Sequence, residues 1–282
     1  MYILFDIGGT KTRIAATLDG QKFSEPAIFE TPAAYSDGLK LLKKEIVRLS
    51  DGNKLEGLYG GIAGVITPGN CKLISSPNLL GWVDSCIKDD LENEFRCSVT
   101  VVNDSAIVAL GEAHFGAGKG KEIVAYITVS TGVGGARIVD GKIDRAAVGF
   151  EPGHQIIDID GSLEFRPGEK ELERLISGKA VEEITGKKAY EIEDIAFWDE
   201  RAQMLAAGIA NTILYWSPHI VVLGGSMMNK IGLSTERVKE YLPNYLKIFP
   251  EIPSIVKSEL GDLGGIYGAL ALVRTTHYNK SS

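Results

Sequence analysis

Hydrophobic positions along the chain change their period repeatedly, and each change predicts an element. Tyr2–Phe5 is a short continuous apolar run, as for a strand buried on both faces, and the alternating stretch Arg13–Leu18 closes on Asp19-Gly20, which predicts a second strand and a hairpin. Further strands are expected at Lys22–Phe29, Leu55–Ile62, Lys72–Ile74, Val99–Val102, Ile123–Val129, Gly135–Val139 and Ile220–Leu223, with residues 63–70 as a loop. Helical spacing covers Ser36–Leu49, with Ser36 and Asp37 as candidate caps, then Asp84–Phe95, Ser105–His114, Glu169–Ile176 and Asp194–Ser217. The last apolar run, Gly264–Val273, predicts a closing helix that packs back on the first half. Strands and helices alternate, which is the signature of an α/β protein.

With 282 residues the length prior is about two domains. We place them at 1–105, joined by the returning helix at about 264–276, and 106–263. A net charge of -7 argues against a nucleic-acid backbone or an anionic membrane as the main partner, since both are bound through clustered Lys and Arg. No apolar stretch reaches the roughly 20 residues a bilayer span needs. The first strand begins at Tyr2, which leaves no room for a signal peptide or an N-terminal DNA-binding domain, so a cytoplasmic location is expected. Cys71, Cys86 and Cys97 have neither C-x-x-C nor zinc-finger spacing and read as reduced thiols packed as small apolar groups.

Two glycine-rich turns carry the candidate chemistry. Phe5-Asp6-Ile7-Gly8-Gly9-Thr10-Lys11-Thr12 follows the first strand, and Thr128-Val129-Ser130-Thr131-Gly132-Val133-Gly134-Gly135 follows another about 120 residues later. Neither fits the Walker or Rossmann fingerprint, because each is followed by an alternating strand and not by a helix. Each therefore reads as the tip of a β-hairpin whose glycines, at φ values a side chain would not tolerate, let backbone N–H groups approach a phosphate. Two such units imply an imperfect internal repeat in which two similar halves face one nucleotide.

Between the turns, the β-branched run Val99–Val102 ends on Asn103-Asp104 before a small-residue helix. Alone, this pair could simply cap the helix. In open α/β sheets, however, ligands sit at the carboxyl ends of strands, and a carboxylate there can take the proton of a hydroxyl attacking a γ-phosphoryl group. Asn78, Asn103, Asp104, Glu151 and His154 supply planar groups suited to vicinal sugar hydroxyls. Trp82, Trp198 and Trp216 are assigned to the core.

Asp6-Ile7-Gly8-Gly9-Thr10-Lys11, Asn103-Asp104, Ser130-Thr131-Gly132-Val133-Gly134-Gly135 and Glu151-Pro152-Gly153-His154, in this order, resemble the ROK family of repressors, open reading frames and sugar kinases. The resemblance implies two ribonuclease-H-like domains of the actin-like ATPase type around a central cleft, and ATP-dependent phosphate transfer to a hexose hydroxyl, usually on C6. It implies that Asp6 orders Mg²⁺ through water while Gly8, Gly9, Thr10 and Lys11 meet the phosphates. Thr131, Gly132, Gly134 and Gly135 would complete the cradle, and Gly224 and Gly225 would sit against the adenosine. Asn103 and Asp104 would hold the attacking end of the sugar, with Asp104 as general base. Ser76-Pro77-Asn78-Leu79-Leu80-Gly81-Trp82 resembles the family's P-N-L-x-G-W stretch, which would place Asn78 on sugar hydroxyls; Glu151, His154 and Glu173 would bind others.

One departure is informative. Zinc-bearing members follow the G-H pair with C-x-C-G-x-x-G-C-x-E, whereas Leu163-Glu164-Phe165-Arg166-Pro167-Gly168-Glu169-Lys170-Glu171-Leu172-Glu173 contains no cysteine. A Cys₃His zinc site cannot form, His154 is left to serve the sugar, and packing or ionic contacts must hold the loop. The expected substrate is a hexose or N-acetylhexosamine, and the family suggests a homodimer. Two alternatives stay open: a kinase using polyphosphate or another acceptor, and a non-catalytic sugar sensor, although the repressors carry an N-terminal helix-turn-helix that this sequence lacks.

Overall fold

The computed structural model describes residues 1–67, 69, 72–160, 168–229 and 232–278. The chain forms two compact units, one of residues 1–115, 145–149 and the C-terminal segment from Asp262, the other of 116–144 and 150–261.

In the first unit the strands are β1 (Tyr2–Ile7), β2 (Lys11–Thr17), β3 (Ala27–Glu30) and β4 (Gly57–Ile62), with α1 (Tyr35–Ser50) between the last two. A small ladder of β5 (Val65–Ile66) and β6 (Leu73–Ser75) follows, then α2 (Ile87–Phe95), β7 (Ser98–Asn103) and α3 (Asp104–Phe115). The sheet order is β3-β2-β1-β4-β7, with β1 antiparallel to β2 and parallel to β4. Period-two alternation divides β1 between two cores. Ile3, Phe5 and Ile7 enter a cluster with Leu42, Ile46 and Leu91, whereas Tyr2 and Leu4 face Ile107, Ile266 and Leu270 on the other side.

The second unit repeats the plan. It comprises β8 (Ile123–Val129), β9 (Val133–Val139), β10 (Lys142–Ile143), α4 (Leu172–Ile176), α5 (Gly178–Thr185), α6 (Ile195–Trp216), β11 (Ile220–Gly224), α7 (Ser226–Asn229), α8 (Thr235–Tyr245) and β12 (Ser254–Lys257). Its sheet order, β10-β9-β8-β11-β12, has the same antiparallel and parallel pairings as the first, so the ribonuclease-H-like repeat is present. The chain closes on α9 (Gly264–Val273), which packs on α3 and β1 in the first unit as expected. Gly268 approaches the Ile107 carbonyl, and a Cβ on Gly264 would lie 2.9 Å from Val108 Cγ1, which explains the small residues on this face.

The first compact unit runs through Phe115, with α3 packed against α9 and β4. Several expectations are corrected. Neither Ser36 nor Asp37 caps α1; the N-cap is Ala34, without a side-chain bond. Lys22–Pro26 is not strand, since Asp19 Oδ1 turns the chain by accepting the Gln21 amide and Pro26 has no N–H for a ladder. Residues 169–171 are not helical, because the Lys170 carbonyl accepts the Ile157 amide in a strand-like pairing. Strand β5 interrupts the loop expected at 63–70, and α5, α8, β10 and β12 were not foreseen. Trp82 is core, 1% exposed, with Nε1 donating to the Pro32 carbonyl; Trp198 is also buried. Cys86 and Cys97 are half-buried, while Cys71 and residues 163–167 lie outside the described residues. No helix among the described residues is long and apolar enough to cross a membrane.

Candidate functional site

Both glycine turns are hairpin tips. β1 and β2 pair down to Ile7↔Thr12, and β8 and β9 down to Val129↔Val133. The reason for their glycines differs from the expected one: none of Gly8, Gly9, Gly132, Gly134 and Gly135 is at positive φ. Close packing excludes a side chain instead. A Cβ on Gly9 would run into Asn78, one on Gly132 would lie 2.6 Å from Glu173 Oε2, and one on Gly135 would lie 2.8 Å from Pro152 Cγ. Gly225 does have a positive φ of 93°, and Gly224 lies against the Tyr126 ring, so internal packing alone accounts for that pair.

Each turn is anchored by residues absent from the sequence expectations. In the first, Thr31 Oγ1 donates to the Gly8 carbonyl at 2.8 Å and the Thr31 amide to the Thr10 carbonyl at 3.0 Å. In the second, the Ser130 and Thr131 carbonyls accept the Gly178 and Lys179 amides at the start of α5, satisfying donors a helix end leaves open. Glu173 Oε2 accepts the Val133 amide at 2.7 Å, so this carboxylate braces the second glycine turn from within its own unit.

Alternation along β1 puts Asp6 on the face covered by α9, where a Cβ on Gly265 would lie 2.6 Å from Asp6 Oδ2. Asp6 is 9% exposed, and burial pushes its pKa up to about 6 against the pull of Arg13. Arg13 is its direct cross-strand partner on β2, with Nη1 3.8 Å from Asp6 Oδ2 and Nη2 3.7 Å from Asp262 Oδ2. The Arg13 Nε is buried with no hydrogen-bond partner. The hairpin register pairs Asp6 with Arg13 from sequence alone, a signal that spacing about the turn could have supplied. A buried carboxyl that ionises reluctantly in this setting is chemically suited to a hard divalent cation, whose charge would reverse that preference. Asp6 therefore fits Mg²⁺. Mg²⁺ keeps most of its waters and needs only one or two carboxylates, which matters because among the described residues no group of three or more His, Cys, Asp or Glu could hold a metal ion.

Strands β1, β4 and β7 run parallel, and Ile7, Ile62 and Asn103 share one row. Asp104 thus emerges at the same sheet edge as the first glycine turn, two strand spacings away, or about 10 Å. Gly61 allows this approach: a Cβ there would lie 2.6 Å from Ile107 Cγ2 and 3.4 Å from Asp104 Cα. Asn103 does the capping, its Oδ1 accepting the Ala106 amide at 3.1 Å while its Nδ2 donates to the Gly64 carbonyl at 3.0 Å. Asn78 is exposed and packs over Gly9, in the same unit as Asp6, Lys11 and Asp104.

In the second unit, Glu151 and His154 flank the short turn Pro152–His154. Desolvation raises the pKa of Glu151, opposed by His154 and reinforced by Glu173. His154 is not held only by a ligand, because its Nδ1 lies 2.9 Å from Glu171 Oε2.

A sequence model described as "ROK family" matches residues 2–276. The N-acetyl-D-glucosamine kinase of Aliivibrio salmonicida (strain LFI1238) is 28% identical, the match covering 96% of this chain and 99% of that protein. Among solved structures, the ROK hexokinase from Thermus thermophilus superposes with a TM-score of 0.82 at 25% identity, covering 98% of this chain and 99% of that one. A ROK family glucokinase from Streptomyces griseus, in complex with glucose and AMPPNP, gives 0.79 at 24% identity over 97% and 99%.

Proposed function

The chain belongs to the ROK family, and on that premise we propose that it is a sugar kinase that transfers the γ-phosphate of ATP to a hydroxyl of a hexose or N-acetylhexosamine, with C6 as the acceptor position. The observation that carries the proposal is the shared sheet edge in the first unit, where a hairpin glycine turn and Asp104 stand about 10 Å apart. That span accommodates a phosphoryl group and the hydroxyl attacking it.

Asp104 acts as general base, taking the proton of the attacking hydroxyl, while Asn103 holds the start of α3 and so aims the neighbouring carboxylate. The backbone of Gly8–Lys11, with Lys11 and Arg13, offers N–H groups and positive charge to the donor phosphates. Thr131, Gly132, Gly134 and Gly135 contribute a second set of N–H groups, and the segment at Gly224 and Gly225 borders the nucleoside. Asn78, Glu151, His154 and Glu173 orient the sugar. Asp6 would hold Mg²⁺, which when bound supplies neutralising charge for the transferring phosphoryl group. Exclusion of water matters for such a site, since water competes with the sugar as nucleophile.

The names and ligands of the relatives support this function, as does the bound AMPPNP of the Streptomyces protein for the nucleotide donor. The test is release of ADP from Mg-ATP across a panel of hexoses and N-acetylhexosamines, with polyphosphate as the competing donor. Sugar-dependent ADP release is expected. Activity with polyphosphate alone would overturn the donor assignment, and silence across the panel would overturn the enzyme.

A further inference from the structure

His154 is tied down, and the residue that ties it occupies a telling position. In the zinc-bearing pattern C-x-E, the last cysteine lies two residues before the glutamate; here those positions are Glu171 and Glu173. Glu171 therefore stands where a zinc-binding cysteine would. Its Oε2 lies 2.9 Å from His154 Nδ1, within hydrogen-bonding distance.

Backbone hydrogen bonds join the segments that carry the pair. Ile156 and Glu171 form an antiparallel bridge, the Ile157 amide donates to the Lys170 carbonyl at 2.9 Å, and the Leu172 amide donates to the Gln155 carbonyl at 3.0 Å. Gln155 is itself fixed, donating through Nε2 to the Pro152 carbonyl at 2.7 Å and accepting from Asn211 Nδ2 at 3.0 Å. These bonds bring residues 155–158 and 170–172 together and set Glu171 opposite the imidazole.

We propose that Glu171 is a positioning residue for sugar binding, replacing a structural zinc by holding His154 through Nδ1 and leaving Nε2 for a sugar hydroxyl. The inference rests on the sugar-kinase reading above for the identity of the ligand, but the coupling of the two side chains does not. A carboxylate that takes one ring nitrogen settles the role of the other. The charged groups coupled to His154 are Glu171, Glu173 and Glu151, all acidic, and they outweigh its desolvation and hold its pKa above the ordinary imidazole value. Because that value is raised, the imidazolium and its Nε2 donor are lost as pH rises through the raised pKa, above the ordinary imidazole value. Sugar affinity should fall over the same interval. The pair is half-exposed, with side chains 54% and 41% accessible, so its contribution lies in orientation and charge and little in stability.

The test is NMR titration of His154 in the sugar-free protein, for wild type, Glu171→Gln and Glu171→Ala, alongside glucose and N-acetylglucosamine dissociation constants across pH. Glutamine keeps an acceptor oxygen but not the charge. The His154 midpoint is expected to drop toward the ordinary value of about 6.5 in both variants. The pH dependence of sugar affinity should move with it, and Glu171→Ala should weaken binding roughly ten-fold, the lower end of what a hydrogen bond to a charged group is worth. Zinc content of the purified wild type should be well below one per chain. A midpoint that does not move, or stoichiometric zinc, overturns the inference. A midpoint that drops in a protein binding neither sugar refutes the ligand assigned to Nε2 and leaves the His154–Glu171 coupling standing, while silence across the whole hexose panel is what refutes the sugar-kinase reading.

Discussion

Replacing Asp6 by asparagine should stabilise the folded protein at neutral pH while removing its activity. The Asp6 carboxyl is 9% exposed, and its pKa is raised from 3.8 to about 6, burial outweighing the attraction of Arg13. A shift of about two units corresponds to about 3 kcal/mol between the protonation states. The sign follows from linkage. The folded-state value lies above the unfolded one, so the folded protein holds this proton more tightly, and stability falls as pH rises from the unfolded pKa through the folded one. Asparagine resembles the neutral carboxyl and never ionises. Its advantage should be absent below the unfolded pKa, about 1.5 kcal/mol at pH 5 and about 3 kcal/mol at pH 7.5, where the wild type carries the full penalty. Urea denaturation in chelator-containing buffer, followed by tryptophan fluorescence at the two pH values, measures the difference. A variant less stable than wild type at pH 7.5, or a gap that does not grow with pH, would refute the reasoning. On the proposed function, the same buried charge is what Asp6 would offer to Mg²⁺, an exchange of stability for function.

Two further substitutions probe the scaffold. Gly9→Ala should drive a methyl group into Asn78, with the Asn78 carbonyl only 3.2 Å away as well, and raise KM for both sugar and nucleotide; Asn78→Gly in the same chain should recover much of the loss in nucleotide KM but leave the sugar KM raised, and steady-state kinetics of the single and double variants would show it. Asp194→Ala should cost about 1 kcal/mol by removing the N-cap of α6, whose Oδ1 accepts the Ala196 and Phe197 amides, measurable as a lowered denaturation midpoint with KM unchanged.

Much of the fold was legible because it rests on period and punctuation. The alternation of Arg13–Leu18 into Asp19-Gly20 and the paired glycine turns announced two hairpins, and the apolar run Gly264–Val273 became α9 with the same limits. At the Asp140-Gly141 turn both residues are at positive φ, 51° and 69°, as a tight hairpin requires. Local signals failed where tertiary contacts decide. Ser36 and Asp37 look like caps, yet the helix starts before them. Residues 169–171 carry helical spacing, yet strand-like pairing with 156–158 holds them extended. The positive φ expected of the turn glycines is not found, and the contacts that crowd Gly9, Gly132 and Gly135, with Asn78, Glu173 and Pro152, are visible only once distant segments meet. Thr31 was invisible for the same cause, being brought to the first turn only when β3 pairs with β2. Arg13, by contrast, was within reach of hairpin register.

The most direct measurement is of the product. Wild-type protein and Asp104→Ala, incubated with Mg-ATP and the preferred hexose, should be compared by ³¹P NMR. A sugar 6-phosphate signal is expected from the wild type and a 10² to 10⁴-fold slower signal from the variant, the range for loss of a general base, with sugar binding retained. A variant that turns over near the wild-type rate, or a wild type that releases only inorganic phosphate, would contradict the account.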